Sequence, residues 1–138
     1  MPSKEVWAKT MWYIRATRLH TGLMSVSVAL FGRPYDFIVD TGSVYSIIDR
    51  RIAEEHHLPL LQAVQWSSPG GSRVSSPRAR VPLQIGGREG IEMVANALVM
   101  PIPITYNVNG FIGTDILRQF DVAMEESYLI LKQRVKLP

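Results

Sequence analysis

Cysteine is absent from this sequence. That excludes disulfides, thiolate metal sites and a cysteine nucleophile, and it permits a reducing compartment. Long apolar runs are missing as well: none approaches the roughly 20 residues that a membrane-spanning helix needs. The first twenty residues break up their apolar positions with Lys4, Lys9, Arg15 and Arg18, so they lack the continuous apolar stretch of a signal peptide. A cytoplasmic protein with no membrane span is the expectation. Charge of a single sign is lacking too, with 15 Lys and Arg against 12 Asp and Glu, for a formal net charge of +3. The small basic groups at Arg50-Arg51, Arg73 to Arg80 and Lys132 to Lys136 suit a solvated surface. No aromatic RNA-binding motif accompanies them, so nucleic acid is not an expected partner. There is neither a repeat of solenoid length nor a low-complexity tract. What remains is a chain of 138 residues, 46% hydrophobic and 20% charged, which predicts a single domain over 1–138 with a packed core.

The pattern along the chain is one of short strands and turns. Met24, Val26, Val28 and Leu30 alternate with Ser25, Ser27 and Ala29, the period-2 pattern of a half-buried strand. Gly32-Arg33-Pro34 reads as a turn and Tyr35 to Val39 as a second strand, running into Asp40-Thr41-Gly42-Ser43. Val44 to Ile48 is apolar again, and Asp49 is placed to cap a short helix that ends before Pro59. Two hairpins follow. One spans Gln62 to Arg80 around Ser67-Ser68-Pro69-Gly70-Gly71-Ser72, and the other joins Val81 to Ile85 with Ile91 to Met100 through Gly86-Gly87. A loop from Pro101 leads to Gly110-Phe111-Ile112-Gly113, a short helix from about Thr114 to Phe120 and a closing hairpin around Glu126-Ser127. The expectation is an all-β domain with one or two short helices.

Asp-Thr-Gly is a weak motif by itself, and an ordinary β-turn with aspartate at a favoured position explains it. Its setting adds chemistry. The apolar strand Phe37-Ile38-Val39 delivers Asp40 to the turn and another apolar segment leaves it. A carboxylate held there is costly to ionise without partners. Gly42, having no side chain, lets backbone amides approach the carboxylate, and Ser43 can donate a hydrogen bond to it. Some seventy residues on, Phe111-Ile112-Gly113-Thr114-Asp115 taken alone reads as a strand, a glycine turn and a helix cap at Thr114 or Asp115.

Together, FIVDTGSVYSIID, a glycine-containing hairpin and NGFIGTDILRQFDV resemble the retropepsin-like aspartic proteases, with YLIL as a closing strand. The resemblance is strongest over residues 20–132 and weakest in the first twenty residues and the hairpin. It implies an acid protease β-barrel with a flap hairpin, and an aspartic endopeptidase that uses neither metal nor cofactor. Asp40 matches the catalytic aspartate, and Thr41, Gly42 and Ser43 match the loop that holds it. Phe111, Ile112 and Gly113 match the segment that supports that loop. Gly70 and Gly71 fall where a flap tip would lie, with Trp66 on its first arm, to cover substrate or to pack. Asp115 matches a structural helix start.

That chemistry needs two aspartates, and there is one Asp-Thr-Gly; Asp36, Asp49 and Asp121 lack a following Thr-Gly or Ser-Gly. The resemblance therefore implies a two-fold homodimer acting on polypeptide, with the Lys132 to Lys136 tail beside the partner's N-terminal segment. Val44, Tyr45, Phe111 and Ile112 are expected to form apolar pockets beside the cut bond. The rival reading is a catalytically silent module of the same fold that dimerises or binds peptide. Glu54-Glu55-His56-His57 lacks the spacing of a metal-binding helix motif and reads as a solvated helix end. Gly86-Gly87-Arg88-Glu89-Gly90 lacks the Lys-Ser/Thr of a phosphate loop.

Overall fold

The computed structural model describes residues 7–87 and 90–136. Ten strands, β1 (Trp7–Arg18), β2 (Met24–Leu30), β3 (Arg33–Val39), β4 (Ile47–Asp49), β5 (Leu60–Ser67), β6 (Arg73–Ile85), β7 (Ile91–Met100), β8 (Gly110–Ile112), β9 (Asp121–Met124) and β10 (Tyr128–Lys136), carry two short helices, α1 (Arg50–Glu55) and α2 (Thr114–Leu117). Strand order is β5-β6-β7-β4-β8-β3-β2-β1-β10-β9, and an additional β6–β2 pairing closes β2, β3, β8, β4, β7 and β6 into a six-stranded barrel. No helix among the described residues is long and apolar enough to cross a membrane.

The alternation in β2 does what it predicts: Met24, Val26, Val28 and Leu30 are buried in the main core. Ala29 is buried too, because β6 closes the barrel there through Val28↔Ile85 and Ala29↔Gln84. The inner face of the wall is filled by Val39, Ile48, Val81, Leu83, Ile85 and Ile112. Asp49 caps α1, accepting from the Arg51 amide at 3.3 Å and pairing with its guanidinium at 2.8 Å.

Several elements depart from the sequence reading. β1 was not anticipated: its first part pairs with β10 over nine residues, from Trp7↔Lys136 to Arg15↔Tyr128, and its end pairs with β2. The backbone of the basic tail thus pairs with its own chain's first strand. The segment Val44 to Ile48 yields only the short β4. The two expected hairpins share one uninterrupted strand, β6, whose first half pairs with β5 and whose second half pairs with β7. Gly113, not Thr114 or Asp115, occupies the cap of α2, which ends at Leu117.

Candidate active site

Asp40 stands at the point where β3 leaves the barrel. β3 runs parallel to β8 (Ile38↔Phe111, Val39↔Ile112), and the register continues one step as the Asp40 amide donates to the Ile112 carbonyl at 2.8 Å. Gly110 admits this close approach: a Cβ there would lie 2.4 Å from the Phe37 ring and 2.6 Å from the Ile47 carbonyl oxygen. The chain then turns sharply, the Ser43 amide donating to the Asp40 carbonyl at 3.3 Å. The Gly42 amide donates to Asp40 Oδ1 at 3.0 Å, as the missing side chain allows. The carboxyl group is half-exposed, with Thr41 and Gly42 open to solvent beside it. A carboxylate that accepts one backbone amide and faces the open can give and take a proton. The Ser43 hydroxyl does not reach it. It donates instead to the Tyr45 carbonyl at 2.6 Å, which tightens the loop from within.

The exit of this loop is clasped by the segment after β8. Thr114 and Asp115 amides donate to the Ser43 and Val44 carbonyls at 2.8 and 3.2 Å. Gly113 fits against that backbone so closely that a Cβ would sit 2.7 Å from the Tyr45 carbonyl carbon. Ser46 is the centre of the clasp and is buried at 2% exposure. Its hydroxyl donates to Asp115 Oδ1 at 2.7 Å and accepts from the Gly113 amide at 2.9 Å, while its own amide donates to Asp115 Oδ2 at 3.0 Å. The side chain of Asp115 thus ties the Asp40 loop to α2. Sequence reasoning gave Asp115 only a helix-start position and missed Ser46, whose partner lies sixty-nine positions away.

β5 and β6 form the hairpin expected over Gln62 to Arg80, and its tip is closed by Gly71 N–H donating to Ser68 at 2.9 Å. Gly71 needs its glycine (φ +82°), whereas Gly70 has ordinary backbone angles. Trp66 spans the hairpin, its indole N–H donating to the buried Ser76 hydroxyl at 3.1 Å. The expected pocket residues do not act together. Ile112 points into the core and Val44 is exposed. Tyr45 lines a small hollow with Arg78 and Asp115. Phe111 does line a cavity, of about 700 Å³, with Ile38, Leu19, Leu23, Tyr106 and Val108. Ile38 and Phe111 face each other across the β3–β8 ladder that ends at Asp40. The metal-capable run on α1 disperses: Glu54 pairs with Arg50, Glu55 with Arg33, and His56 Nε2 meets the Tyr35 hydroxyl at 2.7 Å.

Residues 26–116 match the family model for aspartyl proteases. Among curated proteins none matches significantly. A solved structure of a retropepsin-like aspartic protease from Rickettsia conorii superposes with a TM-score of 0.61 at 16% identity, covering 96% of this chain and 98% of that one. EIAV protease, solved in complex with the inhibitor HBY-793, superposes with a TM-score of 0.53 at 21% identity over 68% of this chain and 84% of its own.

Proposed function

This chain belongs to the aspartyl protease family, and from that premise we propose that it is one half of an endopeptidase in which two copies bring their Asp40 carboxyl groups together. The observation that carries this reading is the Asp40 turn itself: a half-exposed carboxyl group, braced by the Gly42 amide at 3.0 Å, in a chain with a single Asp-Thr-Gly. One such group cannot supply both a base and an acid. Two of them across a two-fold axis can.

In the dimer the two carboxyl groups share one proton, since like charges in contact disfavour double ionisation. The ionised member takes a proton from a water held between them. That water attacks the peptide carbonyl as the protonated member donates to its oxygen, giving a neutral tetrahedral intermediate. Collapse of this intermediate, with proton transfer to the leaving nitrogen, breaks the C–N bond and returns the shared proton. Thr41, exposed at the rim, grips the partner's loop. Ser43, Ser46 and the Phe111–Gly113 segment hold the geometry. The peptide lies extended, pairs through its backbone as an added strand, and is covered by the β5–β6 hairpin with Gly70 and Gly71 at its tip. The cavity beside Ile38 and Phe111 receives a bulky apolar side chain next to the cut bond.

The test is a peptide-library cleavage assay across pH, run on the wild-type protein and on Asp40→Asn, with sedimentation of both. Asparagine keeps the shape of the turn but cannot accept the proton from water. Cleavage should vanish while the dimer persists. Activity near wild type in Asp40→Asn, or a strict monomer that cleaves, would overturn the reading. Peptide binding with no cleavage by either protein would leave a silent peptide-binding module.

A further inference from the structure

The outer wall of the barrel carries a groove that the Asp40 cleft does not use. It begins at the β2–β3 turn, where Phe31 and Gly32 have φ of +49° and +82°. Hairpin turns with positive φ at both central residues favour Asn, Asp or Gly, and an aromatic residue there is strained. Phe31 is nonetheless 64% exposed. Its ring leans on His56, with centroids 5.3 Å apart and planes tilted by 32°. A strained, exposed aromatic does little for the fold and is suited to contact something else.

Two hollows meet at this ring, and a third continues from the second. The first, about 500 Å³, runs over Pro82, Gln84 and Glu92 on β6 and β7. The second, about 270 Å³, shares Phe31, Pro82 and Val94 with it and adds His56, His57 and Arg80. The third, about 440 Å³, shares His57 and Leu58 with the second and ends at Leu60 and Pro77, at the base of the β5–β6 hairpin. Along this path Val94 and Leu60 are 51% and 67% exposed, so the groove has an apolar floor of the kind that marks interaction surfaces. The one full charge in its middle is the Arg80 guanidinium, while Glu92 and Glu54 line the hollows on either side. Two imidazoles and that guanidinium line the middle and no carboxylate does. The nearby Glu54 and Glu55 are engaged by Arg50 and Arg33. Among the described residues Arg80 has no ion-pair partner.

We propose that this groove docks an extended peptide segment bearing a carboxylate next to a bulky apolar side chain. The apolar group packs on Phe31, Pro82 and Val94, and the carboxylate faces Arg80 and His57. Charge complementarity selects the acidic partner, and the shape of the groove selects an extended one. Such a segment is held apart from the bond that would be cut, so the site would select protein partners by a second sequence element. It does not require the Asp40 chemistry.

The test uses two probes, acetyl-Glu-Leu-Phe-Glu-amide and acetyl-Lys-Leu-Phe-Lys-amide, titrated into 15N-labelled Asp40→Asn protein and followed by amide chemical shifts. The acidic probe should give saturable shifts at Phe31, Gly32, His57, Arg80 and Val94. The basic probe, and the acidic probe on Arg80→Gln, should bind about two- to fivefold more weakly, as expected for the loss of an exposed ion pair. Phe31→Gly relieves the turn, so it should weaken binding while leaving the thermal midpoint unchanged or raised. No saturable binding of the acidic probe, equal binding of the two probes, or shifts confined to Ile38 and Phe111 in the cleft would overturn the proposal. So would a Phe31→Gly protein that loses stability and keeps its affinity.

Discussion

Replacing Ser46 with alanine removes one oxygen from a place buried from solvent. The hydroxyl is buried, and it both donates to Asp115 Oδ1 (2.7 Å) and accepts from the Gly113 amide (2.9 Å). Asp115 is left partly satisfied, because its Oδ2 keeps the Ser46 amide and its Oδ1 keeps the Ile116 amide at 2.9 Å. Gly113 is not: its buried amide loses its acceptor, a loss of about 1–3 kcal/mol. Adding the lost charge-assisted bond, about 1.5–3 kcal/mol, brings the total to about 2.5–6 kcal/mol, a large share of the roughly 5–15 kcal/mol that keeps a domain folded. The measurement is urea unfolding at fixed protomer concentration, since dimer formation would add a concentration-dependent contribution, with an unchanged slope as the sign of an unchanged fold. The same clasp sets the exit of the Asp40 turn. In a native, saturated protein kcat should therefore fall about tenfold or more with KM little altered, because small misplacements of a catalytic group are costly. A loss below about 0.5 kcal/mol, within the range of an ordinary surface substitution, together with wild-type kcat, would refute the assignment.

Other outcomes follow from the same geometry. The proposed mechanism requires one proton on the Asp40 pair, so on that reading kcat/KM should trace a bell on the acidic side of neutral, and a chelator should leave it unchanged; a rate rising steadily into alkaline pH would reject the mechanism. Gly71→Ala should weaken the hairpin by about 1 kcal/mol, because its positive φ disfavours a side chain, and should slow turnover more than Gly70→Ala, whose Cβ would meet only the Ser68 hydroxyl at 4.0 Å. Equal, wild-type rates for both would move the cleft cover elsewhere. Burial pushes the Tyr35 phenol above its usual value of 10.0, with Arg33 opposing and Glu55 adding to the shift. The folded state thus prefers the protonated phenol. Its contribution to stability is full below the unfolded value and is lost as pH rises through the folded one. Absorbance at 295 nm should show one tyrosine ionising late, and Tyr35→Phe should abolish that component.

The parts of the fold legible in the sequence are those whose chemistry is local. Asp40-Thr41-Gly42 and Phe111-Ile112-Gly113 need particular residue types at adjacent positions, and the structure brings the two segments together through the Asp40 amide and the Ile112 carbonyl. β2 was readable because serines mark its outer face. β1 was not, because Met11 and Tyr13 on its exposed face are as apolar as Trp12 and Ile14 on the inner one, which erases the alternation. The pocket was half legible. Phe111 lines it, but neighbours along a strand face opposite ways, so Ile112 could not join it. The Ser46–Asp115 clasp was invisible, since a single long-range pair of polar residues has no pattern until the chain is folded. The hydroxyl of Ser43 misled for a similar reason: nearness in sequence to a carboxylate does not settle which acceptor it reaches.

The pairing of β1 with β10 has a consequence for how the protein is made. The first described strand finds its main neighbour in the last one, from Arg15↔Tyr128 to Trp7↔Lys136. At about 5–20 residues added per second, the ribosome takes on the order of 6–24 s to travel from one to the other. Throughout that time most of β1 has no edge to join, while the barrel strands between them are already emerging. An unpaired twelve-residue strand is an invitation to other nascent chains. The cations in its sequence, Lys9, Arg15 and Arg18, are the kind of interruption that keeps such a segment from self-association. The charges that broke up its apolar pattern to the eye thus guard it during synthesis.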